Sequence, residues 1–106
     1  MFRVDPDPVF THDVKVSVPV DGGFVPQTFK ATFRLMSTNE VATFDLEDGG
    51  ASTTFLRRVV IGMDEVVDSA NEPLPYSDQL RDQLLDLPYV RVALARTYFS
   101  AISGNA

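Results

Sequence analysis

Apolar and polar residues change their period once along this chain. Val14, Val16 and Val18 alternate with Lys15 and Ser17. Phe29, Ala31, Phe33 and Leu35 alternate with Thr28, Lys30, Thr32 and Arg34. Period two puts each apolar set on one face of a strand. Asp21-Gly22-Gly23 supplies turn residues tolerant of positive φ, so the two runs predict an antiparallel hairpin over residues 13–35 with a slightly long loop. Ahead of it, Asp5-Pro6-Asp7-Pro8 carries two X-Pro steps, which favour extended or turn backbone. Residues 1–12 are therefore predicted as a loose arm.

From Ser37 the apolar spacing becomes helical. Ser37 and Glu40 have capping-box spacing, which predicts a short helix to about Leu46 that buries Val41 and Phe44. Asp48-Gly49-Gly50 breaks it, and Ser52 and Thr53 are fresh caps for a second helix carrying Phe55, Leu56, Val59 and Val60. The β-branched run Val59-Val60-Ile61 favours an extended end, and Gly62 punctuates. Asp64 to Asp68 reads as a brief strand or ordered loop, and the prolines in Asn71-Glu72-Pro73-Leu74-Pro75 forbid regular helix. Ser77 caps a third helix with Leu80, Leu84 and Leu85 inward.

The fourth helix organises the rest. Val90, Ala93, Leu94, Thr97, Tyr98, Ala101 and Ile102 form one stripe at i, i+3, i+4, i+7, i+8, i+11 and i+12, with Arg91, Arg96 and Ser100 off it. Pro88 suits the first turn, Asp86 is a candidate cap and Gly104 a candidate stop. A stripe this long must be covered. The reading is one α+β domain over 1–106: a small N-terminal antiparallel hairpin or sheet packed against a C-terminal layer of about four helices, 37–104 being mainly helical.

Composition narrows the function classes. A chain of 106 residues with 44% hydrophobic content and eight Phe has enough apolar mass for one modest core. It has no Cys, which excludes disulfide and thiolate chemistry and fits a reducing compartment. The first residues lack the apolar run of a secretory signal, and no stretch reaches membrane-spanning length. A net charge of −6 without a Lys/Arg cluster argues against nucleic-acid binding.

The candidate chemistry is sparse. His12, the lone histidine, adjoins no Ser or Cys nucleophile motif, so a surface role outweighs a catalytic one. Asp64, Glu65, Asp68 and Glu72 lack EF-hand spacing and its glycine, and read as a solvated acidic loop. Asp21-Gly22-Gly23 and Asp48-Gly49-Gly50 are turns rather than phosphate cradles, with no P-loop lysine nearby. No catalytic, cofactor-binding or metal-binding residue is predicted. Tyr76, Tyr89 and Tyr98 are candidate contact residues, with core packing the stronger expectation for each.

Several short blocks in fixed order carry a resemblance. They are Val14-Lys15-Val16 to Val18-Pro19, Thr28 to Arg34, Phe55 to Gly62, Asp64 to Asp68, Glu72 to Ser77, and Leu84 to Arg91 running into Ala93-Leu94. Together they resemble the tail assembly chaperones of long, flexible-tailed bacteriophages and related prophages, over most of the chain from Asp13 to Ala101. Two departures stand out. Met63 replaces a Trp common in the family, and the chain ends Gly104-Asn105-Ala106 rather than on a basic residue followed by Asn.

The resemblance implies a non-enzymatic holdase without cofactor. Its client would be the tape measure protein, kept soluble until tail tube subunits polymerise around it. The protein would act in the bacterial host cytoplasm and be absent from the mature virion. The tail tube protein is a further implied partner, and self-association is compatible with the role. Met63, Leu74 and Tyr76, which flank the irregular loop, are the candidate partner contacts. The alternative is a minor structural protein of the tail or head–tail junction.

Overall fold

The computed structural model describes residues 1–104; Asn105 and Ala106, part of the ending contrasted with the family above, lie outside the described residues. A long hairpin comes first, with β1 at Val9–Val20 and β2 at Gly23–Arg34. Strand β3, Val60–Asp64, adds to β2, giving the antiparallel order β1-β2-β3. The helices are α1 Thr38–Val41, α2 Gly49–Val59, α3 Asp78–Leu85 and α4 Pro88–Ile102. The α+β architecture, an N-terminal sheet packed against four helices, is the predicted one.

Two boundaries of the hairpin differ from the prediction. β1 starts at Val9, so only the first eight residues lie outside it. The period-two pattern extends backward: Phe10 pairs with Phe33 and His12 with Ala31, and the Phe10 ring stacks 5.4 Å from Phe33. The loop is also tighter than expected. Val20 pairs with Gly23 across Asp21-Gly22, and Gly22 takes φ +77°, a conformation that favours glycine. Phe24 to Gln27 belong to β2 although they are exposed on both faces, so no burial alternation announces them. The hairpin's distal half thus stands clear of the body, and the whole molecule measures 46 × 28 × 27 Å.

The helical half departs in its caps. Ser37 caps α1 as predicted, accepting the Glu40 N–H, but the helix ends at Val41 and the chain runs on through turns to Asp48. Asp48, rather than Ser52 or Thr53, caps α2, accepting the Ala51 N–H. Gly49 and Gly50 therefore begin a helix instead of breaking one. A Cβ at Gly49 would stand 2.6 Å from Arg91 Nη1, which donates to the Gly49 carbonyl. Gly62 likewise lies inside β3, opposite Thr32, where a Cβ would sit 3.4 Å from the Thr32 Cβ. Asp86 closes α3; the α4 N-cap is Leu87, with no side-chain cap bond.

The core gathers on the sheet's inner face. Val14, Val16, Phe29, Ala31, Phe33, Val60 and Met63 meet Phe55, Leu56 and Val59 of α2 and Val90, Ala93, Leu94 and Tyr98 of α4. The α4 stripe is buried from Val90 to Tyr98; Thr97 and Ala101 are half-buried, while Ile102 is exposed. Leu35, predicted to face inward, is exposed, and Met36 is buried in its stead. Tyr98 is the hub. Its ring lies 5.1 to 6.0 Å from those of Phe10, Phe33, Phe55 and Phe99. Each such pair contributes about 0.5–1.5 kcal/mol beyond area burial.

Candidate functional site

Because the hairpin overhangs the body, its inner face forms the roof of a cleft. Val16, Val18, Gln27 and Phe29 line it from above, Glu65, Val66 and Val67 from the side, and Leu84, Leu87, Tyr89 and Val90 from the α3–α4 corner. The cavity is about 470 Å³, a size that accommodates bulky apolar side chains of a partner. Val67 and Leu87 remain 49% and 37% exposed there, an uncompensated apolar surface. Glu65 is the charged group among the lining residues, so the lip is weakly acidic.

Local chemistry holds the side wall. Glu65 has φ +62° and Asn71 φ +60°, and these left-handed residues turn the chain out of β3 and back. The Leu74 N–H donates to the Val66 carbonyl at 2.8 Å, and Val67 bridges Pro73. Asp68 Oδ1 accepts the Ala70 and Glu72 N–H groups at 2.8 and 3.0 Å, and Asp64 Oδ1 accepts the Glu65 N–H at 2.8 Å. These carboxylates organise the loop. Among the described residues no group of three or more His, Cys, Asp or Glu is placed to hold a metal ion.

The structure brings the predicted contact residues Met63, Leu74 and Tyr76 together. They line an adjacent cavity of about 390 Å³ that shares Glu65, Val66 and Val67 with the cleft. Met63 is nearly closed off within the core, while Leu74 and Tyr76 are half-buried. The Tyr76 hydroxyl is within 3.4 Å of the Val60 carbonyl and 3.5 Å of Asp78 Oδ1. Burial lifts its phenol above the ordinary value; Asp78 adds to this and Arg81 opposes it. Val18, Val67, Leu84 and Leu87 were not singled out as contacts. Leu87, apolar and three residues ahead of Val90 at the α4 N-cap, is the one legible signal.

The hairpin edges are blunted. The Leu35 N–H donates to the Pro8 carbonyl, which sets the alternation: odd-numbered β1 residues and even-numbered β2 residues direct their backbone outward. Pro19 and Pro26 both fall in this outward class and have no N–H to offer. Strand addition along the arm is thereby disfavoured, leaving side-chain capture in the cleft.

His12 sits half-buried on the inner face of β1, edge-on to Phe10 at 6.1 Å. Among the described residues no helix is long and apolar enough to cross a membrane. No family model, curated protein or solved structure matches this chain.

Proposed function

We propose that this protein is a tail assembly chaperone of a long-tailed phage or prophage, and that the cleft beneath the hairpin holds apolar helical segments of the tape measure protein. One observation carries the reading. Every residue lining the cleft except Gln27 falls within the blocks on which the family resemblance rests. Blocks far apart in sequence thus converge on one apolar surface, as a binding role would require.

The mechanism needs no chemistry. An amphipathic client helix lays its apolar side chains against Val18, Val67, Leu87 and Tyr89, shielding them from other client segments. Glu65 favours clients with a basic residue beside the apolar stripe. Each contact is modest, and many copies along one very long client raise the overall affinity. The client is released when tube subunits compete for the same helices. On this reading the protein works in the host cytoplasm and leaves no copy in the finished particle.

A minor structural role in the tail or head–tail junction is the second reading. Val20, Phe24 and Val25 favour it, being exposed on the hairpin tip where a neighbouring subunit would cover them. Co-expression with the tape measure protein, combined with mass spectrometry of purified particles, separates the two. The chaperone reading expects a client that becomes soluble and co-purifies, and particles without this chain. A client equally soluble alone, with this protein at stoichiometric copy number in particles, overturns it.

A further inference from the structure

At the opposite end of the sheet a second groove is open, lined by Pro8 just ahead of the first strand, Phe10 and His12 within it, Leu35 to Thr38 after the second, Val41 of α1, and Phe99, Ala101 and Ile102 of α4. Its volume is about 690 Å³, and its walls are largely apolar. Just ahead of Pro8 the chain carries an apolar segment with nothing to cover it: Phe2 is 88% and Val4 77% exposed. In extended backbone, residues i and i+2 share a face, so Phe2 and Val4 project together while Arg3 projects opposite.

We propose that the Met1–Val4 segment of one copy docks into this groove on a second copy, and reciprocally, forming a two-fold arm-exchanged dimer. Apolar matching supplies the attraction. Arg3, projecting opposite to the two anchors, stays on the solvent side of the docked segment. The hinge favours exchange over self-docking. For the segment to enter its own groove, the chain must reverse within Asp5-Pro6-Asp7-Pro8, directly beside the groove wall that Pro8 forms. Both residues that precede a proline are biased to extended backbone, and at the bend there the Asp7 N–H donates to Asp5 Oδ1 at 3.0 Å. A partner's segment enters without that reversal, and a two-fold arrangement satisfies both grooves at once. The cleft proposed for the client lies elsewhere, so this inference stands or falls separately.

The absence of cysteine makes the test direct. Val4→Cys and Leu35→Cys are placed in separate full-length chains, one with a mass tag, mixed, and treated with a short bis-maleimide. Both positions are exposed, so neither substitution disturbs the core. The expected product joins one tagged and one untagged chain. Adding Phe2→Ser to the Val4→Cys chain should weaken dimerisation, read by sedimentation velocity across a dilution series, about tenfold or more. A cross-link that forms only when both cysteines sit in one chain means the arm closes its own groove and overturns the proposal. So do wild-type protein that stays monomeric at all concentrations and a Phe2→Ser chain that dimerises as well as wild type.

Discussion

The Tyr98 hydroxyl accepts the backbone N–H of Met36 at 3.1 Å, inside the core and across 62 residues of sequence. Met36 lies two residues past the end of β2, and Tyr98 is the centre of α4's aromatic cluster. One hydrogen bond therefore ties the end of β2 to the helix that covers the sheet. With Tyr98 fully buried, no water can replace it.

Tyr98→Phe keeps the ring and removes the acceptor, leaving the Met36 N–H buried without a partner. It should cost about 1–3 kcal/mol of unfolding free energy. Tyr98→Ala also empties the space between four rings and should cost about 3–5 kcal/mol. Urea midpoints at constant m-value check both. A Tyr98→Phe protein as stable as wild type would show that the bond adds nothing.

Arg91 and Arg96 were both predicted off the α4 stripe, but they differ. Arg91 is half-buried and its Nη1 donates to the Gly49 carbonyl at 3.2 Å, binding α4 to the first turn of α2. Arg96 is exposed and reaches the Lys15 carbonyl at 3.3 Å from solvent. Arg91→Ala should cost about 1–2 kcal/mol and Arg96→Ala less than about 0.5 kcal/mol. Leu94→Asp, which puts an unpaired charge at a fully buried position, should cost several kcal/mol or abolish folding. Chemical denaturation of the three variants gives the order; equal midpoints would refute this helix phase.

What the sequence disclosed followed what burial imprints on it. α4 and α3 were legible because each has a covered face and a clear start, at Pro88 and Ser77. The period-two core of the hairpin was legible for the same reason. Phe24 to Gln27 were not, since their pairing rests on backbone register and both faces meet solvent. Gly49 and Gly62 read locally as punctuation, yet Gly49 opens α2 beneath the Arg91 guanidinium and Gly62 lies within β3 against Thr32, placements set by tertiary packing with no local signature. The cleft shared that fate. Its residues come from three separate regions, and of its lining the sequence marks only Tyr89 as a contact candidate, with Met63, Leu74 and Tyr76 in the adjoining cavity.

Asp82 provides a pH test. Its carboxylate accepts from Arg81 Nε and Arg57 Nε, each at 3.1 Å. The hydrogen bond from Arg81 is the main cause holding its pKa below the ordinary carboxylate value; partial desolvation opposes it, and Arg57 reinforces it. A depressed folded-state pKa means the unfolded chain binds the proton first as pH falls. The contribution is therefore complete above the ordinary Asp range and is lost as pH drops through the folded value. Asp82→Asn should differ from wild type by a constant amount near neutrality, with the gap narrowing below the ordinary Asp pKa. Asp82 and Arg57 meet solvent while Arg81 is largely covered, so the gap should shrink in part in high salt. A gap that widens on acidification would contradict this assignment.

Client capture can be separated from folding because the cleft's lip is not core. Val67→Asp and Leu87→Asp alter side chains that already meet solvent, so melting temperatures should stay close to wild type. Each puts a charge where the client's apolar face must dock, and burying it unpaired should weaken binding of a tape measure segment about tenfold or more. Phe24→Asp, on the arm tip beyond the cleft, should leave that affinity unchanged. Fluorescence titration with a labelled amphipathic segment of the client and the soluble fraction on co-expression are independent readouts. Solubilisation that survives both cleft substitutions but fails with Phe24→Asp would move the client from the cleft to the arm tip. Loss with all three would mean the whole inner and outer arm surface engages the client.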